Sequence, residues 1–133
     1  MDKVVLDTNI YISGLLFPGN ARQILKLAIE NRVHAFISDP ILRELSNVLR
    51  REKFKLFEEQ ILEFIREVKD ITMLVVPQFQ IVEICRDSKD HIILECAVKA
   101  KADYIISGDK DLLVLQEFLG TKIISPEQYL ELI

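Results

Sequence analysis

The chain has 133 residues, half of them hydrophobic, with 17 Lys and Arg against 21 Asp and Glu and a formal net charge of −4. That length suits one compact domain, residues 1–133, able to fold without a disulfide or a structural zinc, and the negative balance argues against a broad basic surface while permitting a local acidic site that gathers cations. No apolar run nears the roughly 20 residues of a membrane span, and Asp2, Asp7, Thr8 and Asn9 interrupt any apolar leader, so the expectation is a cytoplasmic protein with no membrane partner.

Val4–Leu6 reads as a short buried strand that stops at Asp7-Thr8-Asn9. Asn20 is placed to cap a helix running to Asn31, with Ile24, Leu27 and Ala28 on one face. Val33–Ile37 reads as a second strand. Ser38-Asp39-Pro40 is a helix start, a capping residue closely followed by proline, and that helix carries Ile41, Leu42, Leu45, Val48 and Leu49. Glu58–Asp70 is amphipathic through Ile61, Leu62, Phe64, Ile65 and Val68. Met73–Val76 is a third strand, stopped by Pro77. Ser88–Lys101 reads as a helix, Tyr104–Ile106 as a fourth strand, Asp111–Leu119 as a helix and Lys122–Ile124 as a fifth strand. Ser125-Pro126-Glu127 then caps a last short helix.

Strands that are apolar throughout and alternate with helices argue a parallel sheet covered on both faces. The expected fold is therefore α/β, a three-layer α/β/α sandwich around a central, mostly parallel five-stranded sheet. Cys85 and Cys96 form no C-x-x-C pair and read as reduced core thiols. Two histidines and two cysteines spread along the chain do not make a zinc site.

Four acids stand out against this frame. In an open parallel sheet, sites form at the carboxyl ends of the strands. Asp7 ends the first strand there, and Asp109 follows the fourth at the same edge. Either could also be an ordinary turn former. Glu44 falls about 40° beyond the edge of the apolar arc of its helix, able to lean over the rim or to sit in solvent. With Asp90 at 0° on its helix, Leu94 lies near 40°, Ala97 near about 340° and Ile93 near about 300°, so Asp90 faces the middle of the buried side in the first turn. The helix dipole would stabilise it there, but Asp87 and Ser88 are better placed for capping alone. Burying a bare carboxylate costs several kcal/mol or forces it neutral. A divalent cation resolves that conflict, because carboxylate oxygens are hard ligands suited to Mg²⁺ or Mn²⁺.

The stretches VVLDTNI, DSKDHIILECAV and ADYIISGDKDLL, with Glu44 between the first two, resemble the PIN domain family, and especially its VapC-like subgroup, the toxin components of toxin–antitoxin pairs. The likeness runs from Val4 to the terminal helix. It implies a small α/β/α nuclease whose acidic pocket binds Mg²⁺ or Mn²⁺ and hydrolyses RNA, single-stranded or structured, leaving a 5′-phosphate and a 3′-hydroxyl. The family's four catalytic, metal-holding acids fall on Asp7, Glu44, Asp90 and Asp109. Asn9 and Ser107 match its supporting polar residues. Asp111 is either an accessory ligand or a helix cap, with the cap favoured. A small antitoxin protein and a second copy of the chain are the partners the likeness implies beside RNA.

Arg43, Arg50, Arg51, Lys53 and Lys55 gather toward the end of the third helix, and Lys89 and Lys110 neighbour the acids. They are placed to track phosphates, or they are solvated helix-end charges. Aromatic residues are few, and Phe54, Phe57 and Phe64 read as packing or as a dimer seam. A haloacid-dehalogenase-type phosphatase also starts with Asp after its first strand, but it needs a second Asp two residues on, where this chain has Asn9. A receiver-type phosphoacceptor wants an acid ending a middle strand, where Val75-Val76-Pro77 offers none. A PIN-like scaffold that grips RNA or protein without cutting is the remaining alternative.

Overall fold

A computed structural model describes residues 1–78 and 88–133, with the side chains of Ser88 and Lys89 left out. Among them the order is β1 (Lys3–Leu6), α1 (Thr8–Leu16), α2 (Asn20–Ile29), β2 (His34–Ile37), α3 (Asp39–Leu49), α4 (Glu58–Ile71), β3 (Thr72–Leu74), α5 (Ser88–Ala100), β4 (Tyr104–Ile106), α6 (Lys110–Leu113), β5 (Glu117–Phe118), β6 (Thr121–Ile124) and α7 (Pro126–Leu132). Cys85 and Asp87 lie outside the described residues.

The strands form one sheet in the order β3-β2-β1-β4-β6-β5, parallel except for the β5–β6 pair. From β1 the chain steps outward to β2 and β3, then returns past β1 to β4. Parallel crossovers are as a rule right-handed, so steps in opposite directions send their connecting helices to opposite faces. α5 packs over β1, β2 and β4. Val4, Val5, Leu6, Ile105 and Ile106 at the sheet centre are fully buried, and Ile93, Leu94 and Ala97 of α5 close over them. This is the expected sandwich with one strand more than expected. No helix among the described residues is long and apolar enough to cross a membrane.

The sixth strand arises where a helix over Asp111–Leu119 was expected. α6 stops at Leu113 and Gln116 takes a positive φ of 60°. Leu119 and Gly120, with φ of 46° and 90°, then make a two-residue turn that pairs Glu117 with Lys122 and Phe118 with Thr121. Two consecutive left-handed residues are what a tight hairpin requires. The helical spacing of Leu112, Leu113 and Leu115 concealed them.

Helix α1 occupies Thr8–Leu16, where Thr8, Ile10, Tyr11, Ile12 and Gly14 are all buried. A helix buried nearly all round carries no amphipathic signal. Gly14 lets α2 approach closely, since a Cβ there would stand 2.5 Å from the Leu25 side chain and 3.1 Å from the Ala21 carbonyl. The cap of α2 is Gly19 rather than Asn20, because its φ of 135° suits glycine alone. The same helix ends two residues before the expected Asn31. Asn31 turns left-handed, and the Arg32 amide returns to the Leu27 carbonyl at 2.8 Å.

Cys96 is fully buried, and burial pushes its thiol up to about 12, an effect the Ser38 hydroxyl partly offsets. It is an unreactive core thiol, as expected. Phe54 and Phe64 pack against the core, whereas Phe57 is 77% exposed.

Candidate metal centre

The acids meet where the sheet changes direction. β1 leads outward to β2 on one side, and β4 leads outward to β6 on the other. The crevice between their carboxyl ends is the switch point of an open parallel sheet. Leu6 and Ile106 are register partners, so Asp7 and Ser107 leave the sheet side by side. Both are held by backbone bonds past the strand ends, Asp7 N–H to the Ile106 carbonyl and Ser107 N–H to the Ile124 carbonyl, each at 3.0 Å.

Ser107 is fully buried and Asp7 is 8% exposed. The Ser107 hydroxyl donates to Asp7 Oδ2 at 2.7 Å and accepts the Asp109 amide at 2.9 Å. One hydroxyl thus orients Asp7 and fixes the loop that presents Asp109. Asp109 in turn accepts the Asp111 amide at 2.8 Å on Oδ1 and caps α6. Burial holds the Asp7 carboxyl above its ordinary pKa; the Ser107 hydrogen bond opposes that shift and the negative charge of Asp109 adds to it. The Thr8 and Asn9 amides favour the ionised form without closing a regular cap hydrogen bond.

Asp90 stands in the first turn of α5 and is 2% exposed. One carboxylate oxygen each from Asp90, Asp109 and Asp111 lies within 4.8 Å of the others. Like charges at that spacing repel, and a cation held between them would relieve the repulsion. The donors are all hard oxygens and all three acids are at least half-buried, which fits a divalent ion of the Mg²⁺ or Mn²⁺ kind better than zinc.

Asp7, Ser107 and Asp109 are joined by hydrogen bonds, and Asp90 meets Asp109. Glu44 falls outside the 4.8 Å group; it is half-buried on α3, a helix that packs against both α1 and α5. Asn9 is exposed in the first turn of α1. Asp111 departs from the favoured expectation. The cap of α6 is Asp109, whose extended backbone folds its carboxylate over the first turn, while Asp111 is already helical and lends its own carboxylate to the cluster. The D-x-D spacing was the available signal for this.

Among the cations, Arg43, Arg51, Lys53, Lys55 and Lys110 are exposed. Arg50 is engaged. Its guanidinium binds both oxygens of Glu58, at 2.6 and 3.2 Å, and also meets the Ser46 hydroxyl, tying the end of α3 to the start of α4. The Lys89 side chain lies outside the described residues.

A family model described as PIN domain matches residues 3–111. The uncharacterized protein MJ1680 of Methanocaldococcus jannaschii is 30% identical over 141 residues, covering 97% of this chain and 90% of that protein. Among solved structures, a chain of the VapBC2 complex from Rickettsia felis, bound to a DNA fragment from its promoter, superposes with a TM-score of 0.63. That match covers 92% of this chain and 98% of the other at 15% identity, so the likeness is one of fold.

Proposed function

The chain belongs to the PIN domain family, and from that premise we propose that it is a metal-dependent endoribonuclease, hydrolysing phosphodiester bonds of RNA with Mg²⁺ or Mn²⁺. The observation that carries this reading is the convergence of Asp90, Asp109 and Asp111 within 4.8 Å beside a buried, hydrogen-bonded Asp7. Asp7, Asp90 and Asp109 are the acids assigned to hold the ion, with Asp111 beside them, and Glu44 of α3 is the fourth acid of this reading. A divalent ion there would neutralise the phosphate oxygens and make a water more acidic. The chain's own residues supply the rest. Ser107 fixes the orientation of Asp7, and the loop from Ser107 to Asp109 keeps two carboxylates on one rim. In the reaction water adds to phosphorus and the bond to the 3′ oxygen breaks, leaving a 3′-hydroxyl and a 5′-phosphate.

The test is cleavage of a single-stranded oligoribonucleotide by purified protein across a Mn²⁺ titration, with reversal by EDTA and with Asp7→Asn prepared in parallel. Cleavage by the wild type alone is the expected result. Unchanged cleavage by Asp7→Asn would assign the activity to a contaminant, and no cleavage at any Mn²⁺ concentration would leave a PIN-like binding module.

The assembly of the Rickettsia felis neighbour, a VapBC2 complex on promoter DNA, supports a small antitoxin as a partner for this chain, and with it the role of a cytoplasmic toxin. Co-purification with the product of an adjacent small reading frame tests the partner, and light scattering tests the homodimer.

A further inference from the structure

Two concave surfaces on the outer side of the sheet share Asp39, Leu42 and Lys69 and form one continuous groove. One part, about 270 Å³, runs between the ends of β2 and β3 at Ile37 and Leu74; the other, about 340 Å³, lies between α3 and α4 with Arg43 and Ile65 on its walls. Ile37 and Leu74 close β2 and β3, so this part of the groove lies at the carboxyl edge of the sheet, the edge at which Asp7 and Asp109 follow β1 and β4. Asp39 directly follows Ser38, and Ser38 stands one step past β2 at the level where Asp7 stands one step past β1, because Val5 pairs with Phe36. Arg43 is the sequence neighbour of Glu44.

The charges here run against the rest of the molecule. The chain carries −4 overall, whereas the groove's ionisable side chains are Arg43, Lys69 and Asp39, two cations to one acid. Arg43 and Lys69 are both exposed, and neither makes an ion pair among the described residues. Arg50, about two turns further along from Arg43, is by contrast bound to Glu58. Two cations with no ion pair among the described residues, set beside apolar walls at the sheet edge where the carboxylates gather, suit a polyanion whose backbone is gripped here and delivered there.

Resting on the ribonuclease reading, we propose that this groove is the path of the RNA strand and that Arg43 and Lys69 are its phosphate-binding residues. Lys69 lies 26 positions from Arg43 on another helix, and only the packing of α3 on α4 brings the two together.

The experiment measures binding of a fluorescein-labelled, mixed-sequence single-stranded 12-mer RNA to the Asp7→Asn protein by anisotropy, from low to moderate salt. Arg43→Glu and Lys69→Glu are combined in that background. A second double variant, Lys26→Glu with Lys122→Glu, reverses two exposed charges on α2 and β6 as a control for net charge. The groove variant is expected to bind at least tenfold more weakly, and the slope of log affinity on log salt to fall by about 1.4, about 0.7 for each phosphate that is no longer neutralised. An unchanged affinity, an equal loss in the control, or no measurable binding by the parent overturns the proposal; unchanged affinity would turn the groove over to a protein partner. The two readings fail separately. Cleavage by the wild type with unaltered RNA affinity in the groove variant sinks the path and keeps the nuclease. A groove-dependent affinity without cleavage does the reverse.

Discussion

Ser107 and Asp7, separated by 100 positions in sequence, share a 2.7 Å hydrogen bond from Oγ to Oδ2 at the carboxyl rim of neighbouring strands. The same serine oxygen accepts the Asp109 amide. A single buried hydroxyl therefore couples the acid after β1 to the acid after β4, and its removal should be felt at both.

Ser107→Ala is expected to weaken Mn²⁺ binding by about 10–100-fold, the range typical when a group that orients ligands is lost. Stability should fall by about 1–3 kcal/mol, because a buried carboxylate loses its donor and the Asp109 amide loses its acceptor. Titration calorimetry with Mn²⁺ and chemical denaturation read the two effects. The hydroxyl lowers the Asp7 pKa, so the acid limb of the activity profile should also move to higher pH in the variant.

Asp7→Asn should abolish Mn²⁺-dependent cleavage, with a loss of more than about 100-fold, while making the metal-free protein more stable. Asparagine keeps an oxygen to accept from Ser107 and removes the charge that burial disfavours. A rise in melting temperature in EDTA, together with loss of the shift that Mn²⁺ gives the wild type, would establish both.

The pH dependence has a definite sign. The folded-state pKa of Asp7 is raised above the unfolded value. Its contribution to stability is therefore fully present below the unfolded pKa and is lost as pH rises through the folded pKa. Subtracting the melting profile of Asp7→Asn from that of the wild type in EDTA isolates this group, and the difference should fall with rising pH. Saturating Mn²⁺ favours the ionised carboxylate and should reverse the trend.

Asp111→Asn separates a ligand from a helix residue. Asp109 already caps α6 and accepts the Asp111 amide, which the substitution keeps. Stability should change by less than about 0.5 kcal/mol, while Mn²⁺ affinity falls. Unchanged affinity in calorimetry would remove Asp111 from the metal centre.

Gly14→Ala tests the packing that carries α1, far from the acids. The new methyl would meet the Leu25 side chain at 2.5 Å with the Ala21 carbonyl close behind. Denaturation should report a loss of about 1–3 kcal/mol, the usual cost of overpacking.

The sequence by itself determined the elements whose signal is local. The Val4–Leu6 and Tyr104–Ile106 runs, the proline start of α3 and the Ser125 cap of α7, where Ser125 and Gln128 satisfy each other's amides, all stand as read. So does the burial of Asp90, because helical periodicity alone sets the face on which it projects. Only the tertiary structure decided what those residues meet. That Asp7 faces Ser107 depends on β1 pairing with β4 rather than with β2 alone, a matter of strand order that no window of sequence contains. The hairpin at Leu119–Gly120 depends on two left-handed residues that a leucine-rich spacing masked. Among the described residues Arg50 is bound and Arg43 is not, because α4 folds back to bring Glu58 to one and Lys69 beside the other. Hydrophobic period and turn chemistry act within a few residues, whereas the charge partners of a buried acid or an exposed cation are set by register and crossover, which only the folded chain possesses.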